Sequence, residues 1–372
     1  MKRFLSVCCA VSALLAVNTN AEDHLDALMP VRGFCIAAPR PADLDRFIAF
    51  IDTELAPRHV NTLILRVDYD YQFQSRPEMT DKRGLSREDT KKLVAVCKKD
   101  NIHLIPLIDL LGHQSYGANL GALLRVHPEF DETPQVKMPE HYEWPNPDKL
   151  YCKSYCPLHP KVHEVLFALI DELCDDFEAD AFHAGMDEVF YIGESNCPRC
   201  AGKDKAQLFA GEVWAIRDHL REKGRSLWIW GDRLLDGNST GMGEWEASQN
   251  GTSRAIDLVP KDVILCDWHY ERPDPTPAYF AIKGFKVVSC PWKSSSPAVQ
   301  QADDMARWRK TVPPEMKDCF QGVVQTVWTS AAAFLDRDYK GDPTQTNSWN
   351  CFKAMFDEIA KLDAANPTAD DK

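Results

Sequence analysis

The feature that most restricts the fold of this chain is an alternation of short apolar runs with longer amphipathic segments. The runs are nearly continuous in apolar character, as in parallel strands that are buried on both faces. The predicted strands are residues 33–37, 62–67, 103–108, 181–185, 227–230, 263–267, 286–289 and 323–327. The predicted helices are residues 42–55, 86–99, 160–177, 205–223, 297–310 and 345–362, with weaker helices at 253–258 and 275–282.

Eight strand–helix units in succession predict an α/β fold, specifically a (β/α)8 TIM barrel. A doubly wound sheet is the alternative, but it would be expected to carry a Gly-rich phosphate turn after an early strand, and this sequence has none. The 372 residues could hold two average domains, yet α/β barrels run to about 250 residues or more as one unit. We therefore expect one barrel domain over residues 22–372.

The first 21 residues have the pattern of a signal peptide. Lys2 and Arg3 precede an uncharged apolar stretch, and Thr19-Asn20-Ala21 fits a small-residue cleavage site. The stretch is too short to span a bilayer comfortably, and no other segment is predicted to cross a membrane. We expect an exported protein, periplasmic or secreted. The net charge of −13 argues against nucleic acid as a partner.

Two adjacent carboxylates follow the fourth predicted strand. Gly185 ends that strand, and the bend that a glycine allows would let Asp187 and Glu188 reach one pocket. Asp109 and His113 follow the third strand in the same way. Because barrel enzymes build their sites at the carboxyl ends of strands, these residues are the candidate catalytic group. One carboxyl of such a pair can act as an acid while its neighbour stays ionised.

Tryptophan ends four successive predicted strands, at Trp230, Trp268, Trp292 and Trp328. Barrel interiors are filled mainly by branched aliphatic side chains, so these residues are predicted to line a pocket. Core packing is the alternative for any single tryptophan. A pocket with aromatic walls and a carboxylate floor suits a pyranose ring, so a carbohydrate is the predicted partner.

Two cysteine pairs lie in polar loops that flank one predicted helix–strand unit: Cys152 with Cys156, and Cys197 with Cys200. In an oxidising compartment they could form two disulfides. A structural zinc site is the second possibility, and unpaired thiols are the third. We expect the two loops to lie close together and to be braced. No catalytic metal or other cofactor is expected.

Two segments resemble motifs of glycoside hydrolase family 20, the β-N-acetylhexosaminidases. The run His183-Ala-Gly-Met-Asp187-Glu188 is similar to the family's His-x-Gly-Gly-Asp-Glu motif. Residues 105–113, Ile-Pro-Leu-Ile-Asp-Leu-Leu-Gly-His, resemble its Ile-Pro-Glu-Ile-Asp-x-Pro-Gly-His segment. Weaker resemblances continue in the same order from residue 31 to about residue 360, including an Arg32-Gly33 start.

The resemblance implies a retaining, substrate-assisted mechanism, in which the 2-acetamido oxygen of the substrate attacks its own anomeric carbon. Glu188 would match the general acid/base. Asp187 would match the residue that orients the acetamido group and stabilises the charged intermediate. His113, with Asp68 or Asp70, would match a polar relay that supports the acid.

The resemblance also implies substrate ligands. Arg32 would match a ligand of the ring hydroxyls, and His183 is a further candidate. A buried, hydrogen-bonded core position is the alternative for His183. The family's Tyr-x-Asp after strand seven is absent, and Pro291-Trp292-Lys293 stands there instead. Tyr270, after strand six, is the candidate substitute.

Other departures leave two further functions open. Met186 replaces the second glycine of the catalytic motif, and Ser330 replaces the acid of a closing Trp-Ser-Glu. One alternative is a carbohydrate-binding barrel that has lost turnover. The other is a retaining barrel glycosidase that acts on sugars without an acetamido group, pairing Glu188 with Asp232 or Glu244.

Overall fold

Eight parallel strands close into a barrel in the computed structural model of the protein, which describes residues 24–365. Each strand pairs with its neighbour in chain order, and β1 also pairs with β8. The strands are β1 (Val31–Ala37), β2 (Thr62–Arg66), β3 (His103–Leu110), β4 (Ala181–Gly185), β5 (Ser226–Trp230), β6 (Ile264–Asp267), β7 (Lys286–Ser289) and β8 (Phe320–Val327). The predicted (β/α)8 barrel is confirmed. The predicted signal peptide lies outside the described residues.

Helices surround the barrel at most of the predicted positions. The main ones are α1 (Leu44–Phe50), α2 (Arg87–Lys99), α3 (Val162–Asp176), α4 (Lys205–Glu222), α5 (Thr276–Ile282), α6 (Ser295–Thr311) and α7 (Ser348–Ala364). The connection from β5 to β6 contains a 3-10 helix, Thr252–Asp257. Among residues 24–365, no helix is both long enough and apolar enough to cross a bilayer.

The α2 helix shows how local sequence sets an element boundary. Ser86 is its N-cap, and its hydroxyl accepts a hydrogen bond from the backbone N–H of Asp89 at 3.2 Å. The Asp89 carboxylate accepts one from the backbone N–H of Ser86 at 3.1 Å. This reciprocal capping box satisfies two amide donors at the helix start.

The continuous apolar character of the strands follows from burial on both faces. Alternate residues fill the barrel interior, among them Cys35, Ile64, Ile105, Leu107, Trp228, Cys266, Val288 and Val324. The residues between them, such as Phe34, Ile36, Leu63 and Leu65, belong to the larger core between strands and helices.

Two loops at the carboxyl ends of the strands position the site. The loop after β3 runs from residue 111 to 161 and contains a two-stranded ribbon, Ser115–Tyr116 with Asn119–Leu120. The loop after β4 runs from residue 186 to 204. The hydroxyl of Tyr191 donates to the backbone oxygen of Asp148 at 2.7 Å, which joins the second loop to the first.

Candidate active site

A cavity of about 580 Å³ opens at the carboxyl ends of the barrel strands. Its acidic residues are Asp68, Asp109, Asp187 and Glu188. Its aromatic residues are Tyr69, Tyr116, Tyr151, Trp268, Tyr270, Trp292 and Trp328, and Arg66, His113 and Ser115 complete the lining. The structure therefore brings all four candidate catalytic residues, from two different strand ends, to one cavity.

Left-handed backbone conformations turn the catalytic side chains into this cavity. After β4, φ is +62° at Gly185, +70° at Met186 and +47° at Glu188. After β3, His113 has φ of +52°. Each left-handed non-glycine residue costs on the order of 1–3 kcal/mol, and such conformations concentrate at functional sites. The bend predicted at Gly185 is present, and it continues through residues that are not glycine.

Gly185 is also required because the Asp109 carboxyl lies against it. A Cβ added at Gly185 would lie 2.1 Å from Asp109 Oδ1, well inside contact distance. We expect Gly185→Ala to lower the free energy of unfolding by at least about 1–3 kcal/mol, from backbone strain alone. We also expect it to lower kcat, because Asp109 must move. Urea titration and steady-state kinetics measure both effects.

Gly211→Ala is the matched control for that variant. Gly211 lies within α4, and an added Cβ there meets nothing within 4 Å. This substitution should raise stability by about 0.5–1 kcal/mol through helix propensity and leave kcat unchanged. Equal stability and activity in Gly185→Ala and the wild type would contradict the role given to Gly185.

The carboxylate of Asp187 is held in its charged form by its neighbours. The side chain is buried, and His113 Nε2 lies 3.4 Å from Asp187 Oδ2 and 3.2 Å from Glu188 Oε2. Burial alone would raise the pKa of Asp187. The charge of nearby His113 outweighs this effect and brings the pKa of Asp187 below its usual value.

Asp109 has the opposite electrostatic behaviour. Burial, followed by the nearby Asp187 charge, raises its pKa well above the usual value. Asp109 is therefore the protonated member of the pair, and its carboxyl lies close to Asp187 and His113, with one polar atom of each within 4.8 Å of the others. Burial opposes a charge on His113, but the neighbouring Asp187 carboxylate raises the pKa of His113 well above normal. Carboxyl groups whose pKa values are pushed apart are typical of acid–base sites.

A buried ion pair after β5 supports the backbone of Glu188. Asp232 Oδ2 accepts hydrogen bonds from the Glu188 amide at 3.0 Å and from Arg233 Nε at 2.6 Å. Asp232 Oδ1 accepts from Trp268 Nε1 at 3.3 Å. Burial raises the pKa of Asp232 to about 6. Asp232 thus links the loop after β4, which carries Glu188, to the aromatic side chain of Trp268. The side chain of Asp232 does not line the cavity.

The aromatic wall is built from connected rings. Trp268 stacks on Tyr270 with centroids 5.2 Å apart, and the Tyr270 hydroxyl accepts a hydrogen bond from Trp328 Nε1 at 2.7 Å. The ring of Trp292 meets Tyr270 edge-on at 5.4 Å. Three of the four predicted tryptophans, together with Tyr270, therefore lie where a sugar could stack on them.

A buried histidine anchors this wall between Trp268 and Tyr270. His269 Nδ1 lies 2.7 Å from Glu246 Oε2, and its Nε2 lies 3.1 Å from Asp267 Oδ1. Burial would lower its pKa, but the carboxylates of Asp267 and Glu246 raise the pKa of His269 to about 10.

This raised pKa gives a pH prediction with a definite sign. The folded state binds the His269 proton more tightly than the unfolded state, so the stabilisation is complete below about pH 6.5 and is lost as pH rises through about 10. Denaturant titrations from pH 7 to 10 should show a fall in unfolding free energy that is smaller in His269→Gln. Identical slopes for the two proteins would show that His269 is not the responsible group.

The structure contradicts the prediction that Arg32 binds substrate. Arg32 is the second residue of β1, so it lies at the amino end of the barrel, opposite the cavity. Its guanidinium donates to Asp26 Oδ1 at 2.8 Å, to the Met29 backbone oxygen at 2.7 Å and to the His59 backbone oxygen at 2.8 Å. Arg32 is a buried structural residue at the barrel base.

His183 and Trp230 were also predicted as substrate ligands, and neither lines the cavity. Both side chains are fully buried one layer below it. His183 Nδ1 accepts a hydrogen bond from the Gly185 amide at 3.0 Å, and burial lowers the pKa of His183 to about 3, which keeps it neutral. The Trp230 ring packs 4.5 Å from His183 and 5.5 Å from Trp328.

The predicted relay of His113 with Asp68 or Asp70 also differs from the arrangement in the structure. His113 contacts Asp187 and Glu188 themselves. Asp70 pairs with Arg40 at 2.8 Å in a largely exposed position outside the cavity. Asp68 does line the cavity, where its Oδ1 accepts a hydrogen bond from the backbone N–H of Asp109 at 3.0 Å.

Arg66 is a site residue that the sequence analysis missed. It is the last residue of β2, and its guanidinium carbon lies 5.0 Å from the centre of the Trp328 ring. Its Nε is buried without a hydrogen-bond partner among the described residues. A charge that ends an apolar strand on the carboxyl side was the available signal, since side chains at that end face the site.

The structure groups three of the four loop cysteines and leaves the fourth apart. Cys156, Cys197 and Cys200 are grouped, as expected from their two loops, and the buried Glu132 joins them. Cys152 lies apart from this group, with its Sγ 3.6 Å from the Glu188 backbone oxygen. Burial raises the pKa of Cys152 to about 11. Cys152 is therefore a neutral thiol beside the loop after β4, which carries Glu188.

Known proteins share both sequence and fold with this chain. The β-hexosaminidase of Vibrio furnissii is 26% identical over 217 residues, which is 57% of this chain and 31% of that protein. Human hexosaminidase D is 21% identical over 266 residues, or 66% of this chain and 49% of that protein. The chain thus spans about a third to a half of the length of these relatives.

Solved structures of low sequence identity share the barrel. A crystal structure of a β-N-acetylhexosaminidase has a TM-score of 0.62 at 18% identity, covering 91% of this chain and 76% of that one. The Bacteroides fragilis β-N-acetylhexosaminidase has a TM-score of 0.59 at 16% identity, covering 88% and 66%.

The catalytic domain of glycosyl hydrolase family 20 matches residues 65–333 of this sequence. That match begins at the end of β2, includes the carboxylates after β3 and β4, and continues past Trp328. It covers well over half of the chain, and the chain belongs to glycosyl hydrolase family 20.

Proposed function

We propose that the protein is an exported β-N-acetylhexosaminidase that removes terminal N-acetylhexosamine residues by a retaining, substrate-assisted mechanism. The observation that carries the proposal is that the carboxylates of Asp187 and Glu188 line one cavity, with His113 Nε2 3.4 Å from the first and 3.2 Å from the second. An ionised carboxylate can stabilise positive charge, and a neighbouring carboxyl can exchange protons with the leaving group.

In the first step the acetamido oxygen attacks the anomeric carbon and the glycosidic bond breaks. The Glu188 carboxyl gives its proton to the departing oxygen. The product is a cyclic oxazolinium-type intermediate, and Asp187 accepts a hydrogen bond from its N–H while opposing its positive charge. In the second step the Glu188 carboxylate takes a proton from water as the water oxygen attacks the anomeric carbon. The bond from that carbon to the acetamido oxygen breaks, which reopens the ring and restores the acetamido group.

Asp109 and His113 keep this arrangement in the right charge state. Cationic His113 lies 3.4 Å from Asp187 Oδ2, and protonated Asp109 lies beside the same carboxylate, which keeps that carboxylate ionised although it is buried. His113 also lies 3.2 Å from Glu188 Oε2, so it orients the acid as well. Their role is to position and polarise the two groups that contact substrate.

The rest of the lining supports a sugar ligand. Trp268, Trp292 and Trp328 present aromatic surface to the cavity, where the C–H faces of a pyranose ring can stack. Arg66 is the cation available for ring hydroxyls, the role first given to Arg32. Its buried Nε, which has no partner among the described residues, fits a ligand contact.

The geometry disfavours a second catalytic carboxylate at Asp232 or Glu244. Asp232 is occupied by the Glu188 amide, Arg233 and Trp268. The Glu244 side chain is exposed and does not line the cavity. A two-carboxylate glycosidase that pairs either residue with Glu188 therefore has less support than the substrate-assisted mechanism.

A panel of aryl β-glycosides tests the proposal. We expect turnover of the aryl N-acetyl-β-glucosaminide or N-acetyl-β-galactosaminide, and no turnover of the aryl β-glucoside above the level of a Glu188→Gln control. Binding of N-acetylhexosamine without turnover would favour a carbohydrate-binding barrel. Equal turnover of acetamido and 2-hydroxyl sugars would favour a different glycosidase mechanism.

Export is the part of the proposal that rests on residues 1–21 alone. If the predicted cleavage site is used, N-terminal sequencing of the mature protein from a host with a compatible secretion system should begin at Glu22. Retention of the full N-terminus in the cytoplasm of such a host would contradict it.

A further inference from the structure

Three thiols and one carboxylate meet between the two loops that carry the catalytic residues. Cys156 Sγ lies 3.3 Å from Cys200 Sγ and 3.5 Å from Cys197 Sγ. The Glu132 carboxylate completes the group, and the four ligand atoms all lie within 4.8 Å of one another. All four residues are buried. The group is separate from the sugar cavity, whose lining includes none of them.

The Glu132 carboxylate has an unsatisfied oxygen at this point. Its side chain is fully buried, and Oε1 accepts a hydrogen bond from the Glu194 amide at 2.9 Å. Oε2 is buried and has no hydrogen-bond partner among the described residues. Burying a carboxylate oxygen without a partner is costly, and a cation held between Glu132 and the three thiols would remove that cost.

The backbone brings two of the thiols together. The Cys197-Pro-Arg-Cys200 segment forms a tight turn, closed by a hydrogen bond from the Ala201 amide to the Cys197 backbone oxygen at 3.0 Å. A spacing of two residues between cysteines is typical of structural zinc sites.

We propose that Cys156, Cys197, Cys200 and Glu132 bind one Zn²⁺ ion as a structural site. Tetrahedral zinc with Zn–S bonds of about 2.3 Å places its sulfur ligands roughly 3.8 Å apart. The observed separations of 3.3 and 3.5 Å need only a small expansion to reach that geometry, whereas a disulfide needs about 2.05 Å.

The donor set also selects the metal and its role. Thiolate ligands select soft or borderline ions such as zinc over magnesium and calcium. Four protein ligands fill a tetrahedral site and leave no position for a reacting water, so this ion would be structural. Binding would release the protons of the three thiols, and zinc affinity should therefore rise with pH.

The site would fasten the two catalytic loops to each other. Glu132 and Cys156 belong to the loop after β3, which also carries His113, while Cys197 and Cys200 belong to the loop after β4 that begins next to Asp187. A zinc ion at this point would restrict both loops.

Metal analysis of the full-length protein, purified without chelators, tests the proposal without any substrate. We expect about one zinc per chain, and X-ray absorption should give three sulfur ligands near 2.3 Å and one oxygen near 2.0–2.2 Å. Cys197→Ser and Cys200→Ser should each lose most of the zinc. Glu132→Gln should weaken zinc binding by more than the roughly 10–100-fold typical of residues that only support a ligand.

Cys152→Ser is the matched control, because Cys152 lies in the same loop as Cys156 but outside the cluster. It should keep about one zinc per chain. The proposal would be overturned if the folded wild-type protein contained no zinc. In that case mass mapping would show whether the cysteines are free thiols or are joined in disulfides. A sulfur-only site, or zinc lost in Cys152→Ser and kept in Glu132→Gln, would overturn the assignment of Glu132. Because no step uses substrate, these outcomes are independent of the proposed glycosidase activity.

Discussion

Replacing Glu188 by glutamine is expected to slow hydrolysis of N-acetylhexosaminides with poor leaving groups by about 10²–10⁴-fold. The amide keeps the shape of the side chain but has no proton to give to the departing oxygen. Aryl substrates with strongly acidic phenols need less protonation, so they should retain much more activity. Steady-state kcat/KM values for a disaccharide and an activated aryl substrate measure the difference.

Glu244→Gln is the control for that prediction. Glu244 is exposed and lies outside the cavity, so its amide variant should keep wild-type rates on both substrates. A Glu188→Gln enzyme that hydrolyses the disaccharide at the wild-type rate would remove Glu188 from the acid role. A loss in Glu244→Gln as large as that in Glu188→Gln would instead favour the two-carboxylate alternative.

Replacing Asp187 by asparagine is expected to lower activity by about 10²–10³-fold, similarly for good and poor leaving groups. The proton donor Glu188 remains, but the negative charge that opposes the cationic intermediate is gone. A cyclic thiazoline that mimics the intermediate should also bind this variant more weakly than the wild type. Inhibition constants and rates on both substrate classes test the two parts together.

The matched control for Asp187→Asn is Asp70→Asn. Asp70 is half-exposed and pairs with Arg40 away from the cavity, so its variant should keep wild-type activity and thiazoline affinity. If Asp187→Asn affected only substrates with poor leaving groups, its carboxylate would be acting in proton transfer and the proposed division of roles would be wrong.

The strands could be predicted because each is buried on both faces and therefore apolar throughout. The boundaries of β4 (Ala181–Gly185) and β7 (Lys286–Ser289) match the prediction, while β8 extends three residues earlier than predicted, to Phe320. The residues following β3 and β4 were also predictable, since barrel topology assigns strand ends to the site. The resemblance to the family supplied the separate roles of Asp187 and Glu188.

The sequence could not predict how far below the cavity a side chain at a strand end lies. Trp230 and Trp328 both end strands, yet only Trp328 lines the cavity, and Trp230 packs on His183 below it. Strand end alone does not fix the layer, because neighbouring strands are staggered. The resemblance pointed to Arg32 as a ligand, but a residue at the start of β1 lies at the end of the barrel opposite the cavity.

The full membership of the cysteine cluster could not be predicted, for a different reason. Cys152 and Cys156 are close in sequence, which suggested a shared role, but their side chains point to different places. Glu132 is 24 positions before Cys156 in the sequence, and only the folded loop after β3 brings the two together. No spacing rule connects a glutamate to cysteines over such a distance.

The measurement that tests the central claim most directly is a comparison of aryl β-glucosaminides whose N-acetyl group carries zero to three fluorine atoms. Each fluorine withdraws electrons from the acetamido oxygen and weakens it as a nucleophile. If that oxygen attacks the anomeric carbon, kcat/KM should fall with each fluorine, by at least about tenfold across the series, or roughly 1.4 kcal/mol of activation free energy. A rate that stays constant or rises with fluorine content would contradict substrate assistance.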